Sequence, residues 1–222
     1  MRKKIIAELL GTFILVFAGT GAIVINDIAN AIGHVGIALT FGFVIVALIY
    51  SFAHVSGAHF NPAVTIAFWS MGEFERKNVI PYISVQIIGG VLASLCLYLL
   101  LSESFNNLAE VSYLGATIPR GSVSQSFGFE FILTFILMIV ICSSAVHGKA
   151  TKDFAGLAIG LTVGLESMFA GPITGASMNP ARSIAPAIVS GNLEHLWLYI
   201  FATILGSVCA ALVFMKFFKS DA

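Results

Sequence analysis

Two nine-residue stretches decide how this chain folds: GAHFNPAVT at residues 57–65 and GASMNPARS at residues 175–183. Both contain an Asn-Pro-Ala step, and the two steps stand 118 residues apart. Asn is a favoured N-cap residue and Pro a favoured first residue of a helix, so each step predicts that a helix begins there. A single turn needs no second copy with matching flanks. The repetition therefore indicates two equivalent helix starts in two halves of one chain.

The chain around these steps has the composition of an integral membrane protein. Of its 222 residues, 58% are hydrophobic and only 10% are charged, whereas soluble domains are about a quarter charged. Eleven basic and eleven acidic residues cancel, which argues against a nucleic-acid partner. The three cysteines lie in apolar runs without ligand spacing, and no enzyme, metal or nucleotide motif is recognised. We expect a protein that is not an enzyme and has no metal site and no cofactor.

Six apolar stretches are long enough to cross a bilayer as helices. They lie at about 5–25, 34–54, 79–101, 126–147, 154–170 and 195–218. Two further apolar segments, at about 61–71 and 179–190, begin at the Asn-Pro-Ala steps and have about half the length that a span needs. Such short segments at matching places in two halves are typical of membrane sites built from half-helices. The sequence therefore predicts an all-α membrane protein.

The two halves of the chain align as one repeat of about 120 residues. AELLGTFILV at 7–16 aligns with FEFILTFILM at 129–138, and YISVQIIGGVLASL at 82–95 aligns with YIFATILGSVCAAL at 199–212. Each copy, about 1–110 and 120–222, holds three spans, so the second copy enters the membrane from the opposite side. We therefore predict a single transmembrane channel domain over residues 1–222 that contains an inverted repeat.

The basic residues predict the orientation of these spans. With the N-terminus in the cytoplasm, the inner segments carry nine Lys and Arg residues and the outer side carries only Arg120 and Arg182. Positively charged segments stay on the cytoplasmic side. We expect a multi-pass protein with both termini in the cytoplasm and a long outer connection at about 102–125. The first apolar run is too long for a signal peptide, so we interpret it as a retained span.

Inversion would bring the two Asn-Pro-Ala segments together near the midplane. Non-helical backbone survives at that depth only inside protein or along a water-filled cavity. Asn61 and Asn179 would present amide donors at the pore centre, where two positive helix ends repel cations. A water held by both amides has its hydrogens pointing outward, which interrupts proton transfer. The extended stretches 56–60 and 174–178 would turn carbonyls to the pore, with lining residues Gly57, Ala58, His59, Thr174, Gly175 and Ser177.

These stretches resemble the aquaporin (major intrinsic protein) family. The resemblance covers nearly the whole chain through AELLGTF, SGAHFNPAVT, GFEFILTF and GASMNPARS. AGPITGASMNPARS is most similar to bacterial and plant nodulin-like members, which pass glycerol or uncharged metalloid hydroxides. The resemblance implies six tilted spans plus two re-entrant half-helices. It also implies a homotetramer with one pore per subunit, in a bacterial-like plasma (cytoplasmic) membrane.

Alignment with the family implies an outer selectivity filter of Phe41, Ser167, Ala176 and Arg182. An Arg within the membrane is costly and functional by default; the alternative is a side chain that snorkels to the outer mouth. Water-selective relatives have a His at the Ser167 position, and glycerol-selective relatives have two aromatic residues. The ring in this chain is therefore expected to be wider than a water filter and more polar than a glycerol filter. It suits boric, silicic or arsenous acid besides water.

Three acidic residues lie within the predicted spans. Glu8 and Glu130 are symmetry mates, and the resemblance implies that each caps N–H groups of a re-entrant loop; the alternative is ion coupling in a transporter. Glu166 has no acidic mate, because the matching first-half residue is Leu48. A functional role and a hydrogen bond to outer-loop backbone both stay open for Glu166. For His59, a structural hydrogen bond is favoured over a pH sensor.

The function that these residues favour is a passive channel for water and small uncharged solutes that excludes ions and protons. Glycerol and metalloid hydroxides are the candidate solutes, and the lipid bilayer is the expected partner. Three alternatives stay open: a strictly water-selective channel, an ion-coupled carrier built on the same inverted repeat, and a membrane junction protein with little transport.

Overall fold

The computed structural model describes residues 1–102 and 113–219, and within these ranges the regular structure is helical. Two short helices begin at the Asn-Pro-Ala steps: α3 (Pro62–Ser70) and α7 (Pro180–Ser190). Six helices are long and apolar enough to cross a membrane: α1 (Arg2–Ala29), α2 (Gly33–Ser56), α4 (Arg76–Ser102), α5 (Val123–Ile141), α6 (Ala155–Thr174) and α8 (Leu196–Phe217). This confirms the predicted all-α membrane fold. Residues 103–112 of the expected outer connection lie outside the described ranges.

The observed helices follow the predicted spans with small shifts at the ends. α5 stops at Ile141 and continues as a π-helical turn, Cys142–Val146. α6 reaches Thr174, beyond the predicted end at 170, although Pro172 lies inside it. Proline removes the hydrogen bond to the carbonyl four residues earlier. That carbonyl, on Met168, accepts a hydrogen bond from His34 Nε2 of α2 at 2.6 Å instead, so the helix continues.

Neighbouring spans approach closely through glycines, and the repeat reappears in these contacts. α4 meets α1 where Gly89 lies against the Leu9 carbonyl, and α8 meets α5 where Gly206 lies against the Phe131 carbonyl. A Cβ at either glycine would collide with that carbonyl oxygen. Small residues at helix contacts let backbones approach in membranes. The aligned blocks of the two halves therefore build the same helix pair twice.

The two half-helices are placed by spans of the opposite half. Ser207 Oγ of α8 donates to the Ala63 carbonyl of α3 at 3.0 Å. In the other direction, Gly90 of α4 lies against Ala185 and the Ala181 carbonyl of α7. Each half-helix is preceded by a short non-helical segment, which we call the first loop (57–60) and the second loop (175–178). This exchange brings Asn61 and Asn179, the residues after the loops, to the centre of the fold.

Candidate functional site

A cavity of about 830 Å³ leads from one face of the molecule to the two loops. Its mouth lies on the side of the chain termini and carries Glu73, Lys152 and Asp153. Apolar side chains of α2, α5 and α6 form most of its wall, and both Asn61 and Asn179 line it. The far end is formed by Phe41, Ala176 and Arg182. The cavity thus joins three of the four predicted filter residues to the predicted pore centre.

Both loops adopt the same unusual backbone. The first loop has left-handed φ angles at Gly57 (89°), Ala58 (51°) and Phe60 (49°), and the second at the matching positions 175 (86°), 176 (42°) and 178 (54°). Outside glycine this conformation costs about 1–2 kcal/mol per residue, so it persists only where the surroundings hold it. The predicted extended stretches 56–60 and 174–178 need one correction, because Ser56 and Thr174 are the last residues of α2 and α6.

Glu8 of α1 holds the first loop. One of its carboxylate oxygens accepts from Ser56 Oγ at 2.7 Å and from the His59 N–H at 3.0 Å. The other accepts from the Phe60 N–H at 2.7 Å and from Gln86 Nε2 at 2.8 Å. Charge-assisted bonds of this kind are roughly twice as strong as neutral ones. Both oxygens of Glu8 are therefore committed to backbone and side-chain donors of the loop region.

Glu130 of α5 holds the second loop in the same manner. Its Oε1 accepts from Thr174 Oγ1 at 2.7 Å, and its Oε2 accepts from the Met178 N–H at 3.0 Å. The Ser177 N–H lies between the two oxygens, at 2.9 and 3.1 Å. Thr174, an expected lining residue, is fully buried in this layer and is not part of the cavity wall. Gly57, Ala58, His59 and Ser177 do line the cavity, whereas Gly175 does not.

Asn61 and Asn179 cap their half-helices and also cross-link the two loops. Each side-chain oxygen accepts from the second N–H of its own helix, at 2.9 and 3.0 Å. Asn61 Nδ2 donates to the Met178 carbonyl at 2.7 Å, and Asn179 Nδ2 donates to the Phe60 carbonyl at 2.9 Å. An amide has two N–H donors, so each Asn keeps one N–H beyond this bond. Because both residues line the cavity, these donors can meet a molecule in it.

Arg182 lies at the far end of the cavity and is only 2% exposed. Its Nη1 donates to the Gly115 carbonyl at 2.7 Å, and its guanidinium carbon lies 5.1 Å from the centre of the Phe41 ring. Its Nε has no hydrogen-bond partner within residues 1–102 and 113–219. The side chain therefore does not snorkel to the surface, which contradicts that alternative. The guanidinium has five N–H donors, and the bond to Gly115 uses only one of them.

The segment before α5 holds the arginine at the end of the cavity away from its mouth. Tyr113, Leu114 and Gly115 all have left-handed backbone, with φ of 45°, 53° and 74°. Further along the segment, Thr117 Oγ1 donates to Ser183 Oγ at 2.9 Å. This contact could not be predicted from the sequence, because the segment has no counterpart in the other repeat. Ser167, the fourth predicted filter residue, is buried, and its Oγ is unpaired in the described ranges.

His59 is enclosed by aromatic rings on the wall of the cavity. Its Nδ1 lies 3.1 Å from Thr65 Oγ1. The ring centre lies 4.8 Å from that of Phe68, 4.9 Å from Phe74 and 5.3 Å from Tyr82. These contacts favour the structural interpretation of the histidine over the pH sensor.

Two tyrosines support the loops and were missed in the sequence. Tyr82 OH donates to the Ser56 carbonyl at 2.9 Å, and Tyr199 OH donates to the Thr174 carbonyl at 2.8 Å. They occupy the same position in the aligned blocks YISV and YIFA. The aligned tyrosines could therefore have been recognised in the sequence, since a polar group repeated in two otherwise apolar spans indicates a repeated hydrogen bond.

Comparisons with known proteins agree with this geometry. The profile described as MIP, Major intrinsic protein, matches residues 1–214. Nodulin-26 of Glycine max is 44% identical over 213 residues, covering 96% of this chain and 76% of that protein. Aquaporin NIP1-2 of Oryza sativa subsp. japonica is 43% identical over 208 residues, covering 93% and 69%. Among solved structures, the aquaglyceroporin from Plasmodium falciparum has a TM-score of 0.83 at 26% identity, covering 97% of this chain and 96% of that chain.

Proposed function

Because the chain belongs to the major intrinsic protein family, we propose that it is a passive transmembrane channel for water and small uncharged solutes that excludes ions and protons. One observation carries the proposal. The cavity reaches two Asn amides that stand at facing helix N-termini and are cross-linked by their own side chains. A molecule at that point meets N–H donors and no ionised acceptor.

Passage would proceed by stepwise replacement of hydration. Left-handed residues in both loops interrupt the regular backbone pairing, so that carbonyls of the loops can serve a passing solute as acceptors. The free N–H groups of Asn61 and Asn179 serve as donors at the centre. Each half-helix end is equivalent to about half a positive charge, and Arg182 adds a full charge at the far end. A neutral solute is stabilised by these groups, whereas a cation is repelled.

The filter composition supports solutes larger than water. Phe41 gives one apolar wall and Ala176 leaves space, whereas Ser167 is buried beside the cavity lining and contributes only its small size. Arg182 lines the far end of the cavity, where its guanidinium can donate to an oxygen of the solute. We propose that glycerol and compact polyhydroxylated acids such as boric, silicic or arsenous acid pass besides water. The solved relative is named an aquaglyceroporin, which supports the wider range.

The contacts of the buried acids argue against the carrier alternative. All four oxygens of Glu8 and Glu130 are occupied by loop donors. A coupling ion would have to displace these bonds, together with the backbone that they hold. We therefore propose that both residues are supports of the pore. The strictly water-selective channel is the second candidate, favoured only by the close approach of Phe41 to Arg182.

Assembly, membrane and orientation belong to the same proposal. We propose one channel domain over residues 1–222, with inverted repeats at about 1–110 and 120–222. Both termini would lie in the cytoplasm, in a plasma membrane, and four copies would form a tetramer. Large apolar side chains on the outer helix faces support contact with lipid and with neighbouring copies, for example Ile80, Leu99, Leu165 and Phe201. The two curated relatives described above are plant proteins, so a bacterial-like setting stays a prediction.

Reconstituted vesicles test the function directly. Stopped-flow light scattering would follow water, glycerol, urea and boric acid, while a trapped pH dye follows protons. A channel equilibrates the neutral solutes without saturation and leaves the dye signal unchanged. Accumulation against a gradient would indicate a carrier, and permeability equal to that of empty vesicles would indicate a junction protein. Passage of water alone would leave the strictly water-selective channel.

A further inference from the structure

Gly19 of α1 lies directly behind the aromatic ring of the filter residue Phe41. Gly19 is buried, and a Cβ built on it would stand 2.5 Å from Cζ and 2.6 Å from Cδ1 of that ring, and closer still to Cε1. Real Cβ atoms do not approach other atoms below 3.0 Å. The ring of Phe41 therefore occupies a recess in α1 that exists only because residue 19 has no side chain.

This glycine differs from those that bring two helices together. At Gly89 and Gly206 the nearest atoms belong to the backbone of the neighbouring span, so those residues serve the close approach of two helices. At Gly19 all three nearest atoms belong to one side chain, the ring of Phe41. The recess therefore serves a residue that lines the far end of the cavity.

The second repeat fills the same pair of positions with different volumes. By the alignment of the halves, Ile141 of α5 matches Gly19, and Ile159 of α6 matches Phe41. Both isoleucines are buried in the core and line the cavity. A glycine with an aromatic ring in one half thus corresponds to two aliphatic residues of medium size in the other. Cores tolerate such exchanges when the total volume is kept, so the small residue in α1 is matched to the large one in α2.

The backbone of α2 cannot retreat from α1 to make room for a larger residue 19. Gly42, the residue after Phe41, packs against α6, and a Cβ there would stand 2.8 Å from the Gly160 carbonyl oxygen. α2 is therefore held between α1 and α6 at the level of the filter. The ring itself has few other rotamers, because helical residues rarely adopt χ1 near +60°.

The remaining direction for the ring is toward the cavity. Phe41 and Arg182 line the far end of the cavity, and the guanidinium carbon lies 5.1 Å from the ring centre. Gly19 is on the side of the ring away from this space, in the body of α1. Ordinary van der Waals contact begins at 3.4 Å, whereas Cζ would stand at 2.5 Å, so a methyl group at residue 19 would displace the ring by about 0.9 Å.

We propose that Gly19 is a positioning residue that determines the width of the outer filter, because its missing side chain lets the Phe41 ring lie back against α1. The inference rests on the proposed channel function and deepens it by naming a residue that admits solutes larger than water. Glycerol and boric acid would depend on the recess. Water needs less width, so its flux would depend on the recess less.

Solute flux in reconstituted vesicles tests the inference as a ratio, which cancels differences in the amount of folded channel. In G19A the ratio of glycerol flux to water flux should fall roughly tenfold, the factor that corresponds to modest overpacking. The matched control is G21A, in the same helix, where a Cβ would meet only the end of the Leu97 side chain at 3.2 Å. The ratio in G21A should equal that of the unmodified protein.

Removal of the ring tests whether residue 19 acts through Phe41. F41A should raise the ratio of glycerol flux to water flux. In the double variant G19A/F41A the methyl group has no ring to displace, so its ratio should equal that of F41A. If G19A lowers the ratio equally with and without the ring, residue 19 acts through helix packing and the inference is overturned. An unchanged ratio in G19A overturns it as well.

The same proteins separate this inference from the proposed channel function. If the unmodified protein passes no solute, the channel function fails, and thermal unfolding still tests the contact, because G19A should destabilise less in the F41A background. If the unmodified protein passes water but neither glycerol nor boric acid, a water channel remains and the inference is overturned. If G19A does not fold, G19A/F41A should fold and conduct like F41A, and a double variant that also fails to fold contradicts the proposed contact.

Discussion

The two crossed bonds between the Asn-Pro-Ala segments give the most direct test of the pore centre. Asn179 has two separable roles. Its side-chain oxygen caps α7, and its Nδ2 donates to the Phe60 carbonyl at 2.9 Å. N179A removes both. N179D keeps the cap, because Asp and Asn are equally good N-cap residues, but replaces the donor by a charged acceptor. N61A and N61D form the matching pair in the other half.

The structure predicts the size of each effect. Loss of the cap costs about 0.5–2 kcal/mol, and an orphaned buried carbonyl costs about 1–3 kcal/mol. N179A should therefore destabilise the protein by about 1.5–5 kcal/mol. Its effect should exceed that of N61A, since Asn179 also accepts from the Arg182 N–H at 3.4 Å, whereas Asn61 caps one N–H. N179D should lose less stability, yet its carboxylate at the pore centre should admit cations.

Thermal unfolding in detergent and stopped-flow measurements on vesicles with equal amounts of folded channel would provide both readouts. We expect reduced water flux in both alanine variants, and increased cation or proton leak in both aspartate variants. If all four variants keep the unmodified flux and the unmodified exclusion of protons, the two asparagines do not form the pore centre. If the alanine variants lose only stability, the crossed bonds are structural and the donors at the centre are dispensable.

Three further predictions concern the filter, the cysteines and the helix contacts. S167H should suppress glycerol and boric acid flux while sparing water; a protein that already excludes glycerol, urea and these acids before mutation would show that the filter is not wide. Mercurials should inhibit weakly, because none of the three cysteines lines the cavity, and a rapid block abolished by one cysteine substitution would contradict this. G206A should destabilise by about 1–3 kcal/mol, because its Cβ would meet the Phe131 carbonyl, whereas G128A, with open space around it, should be neutral or stabilising in an unfolding assay.

Local signals made much of the fold predictable from the sequence. Asn61-Pro62 and Asn179-Pro180 start helices for reasons confined to two residues, a cap and a fixed φ. The pairing of Glu8 with Glu130 followed from the alignment of the halves, and the structure places each behind its own loop. These features can be predicted from the sequence because each depends on short-range chemistry, and the same residues recur in both halves of the chain.

Features that depend on residues far apart in the chain could not be predicted from the sequence. The carbonyl that binds Arg182 belongs to Gly115, in a segment without counterpart. The fifth span was predicted to end at about residue 170, before Pro172, and only the fold shows that His34 donates to the carbonyl that the proline frees. The alignment pairs residues by position, but it does not say what each one contacts.

The two hydrogen bonds that Asn61 and Asn179 each donate to the other half of the chain also affect the order in which the channel assembles during synthesis. During synthesis the first half emerges and inserts before Met178 exists, so the amide of Asn61 has no final acceptor until the last third of the chain has entered the bilayer. The first half-helix likewise waits for Ser207 of the final span. Translation order thus makes completion of the aperture one of the last events of biogenesis. A ribosome-bound fragment that ends before the second half-helix would occupy the membrane without conducting.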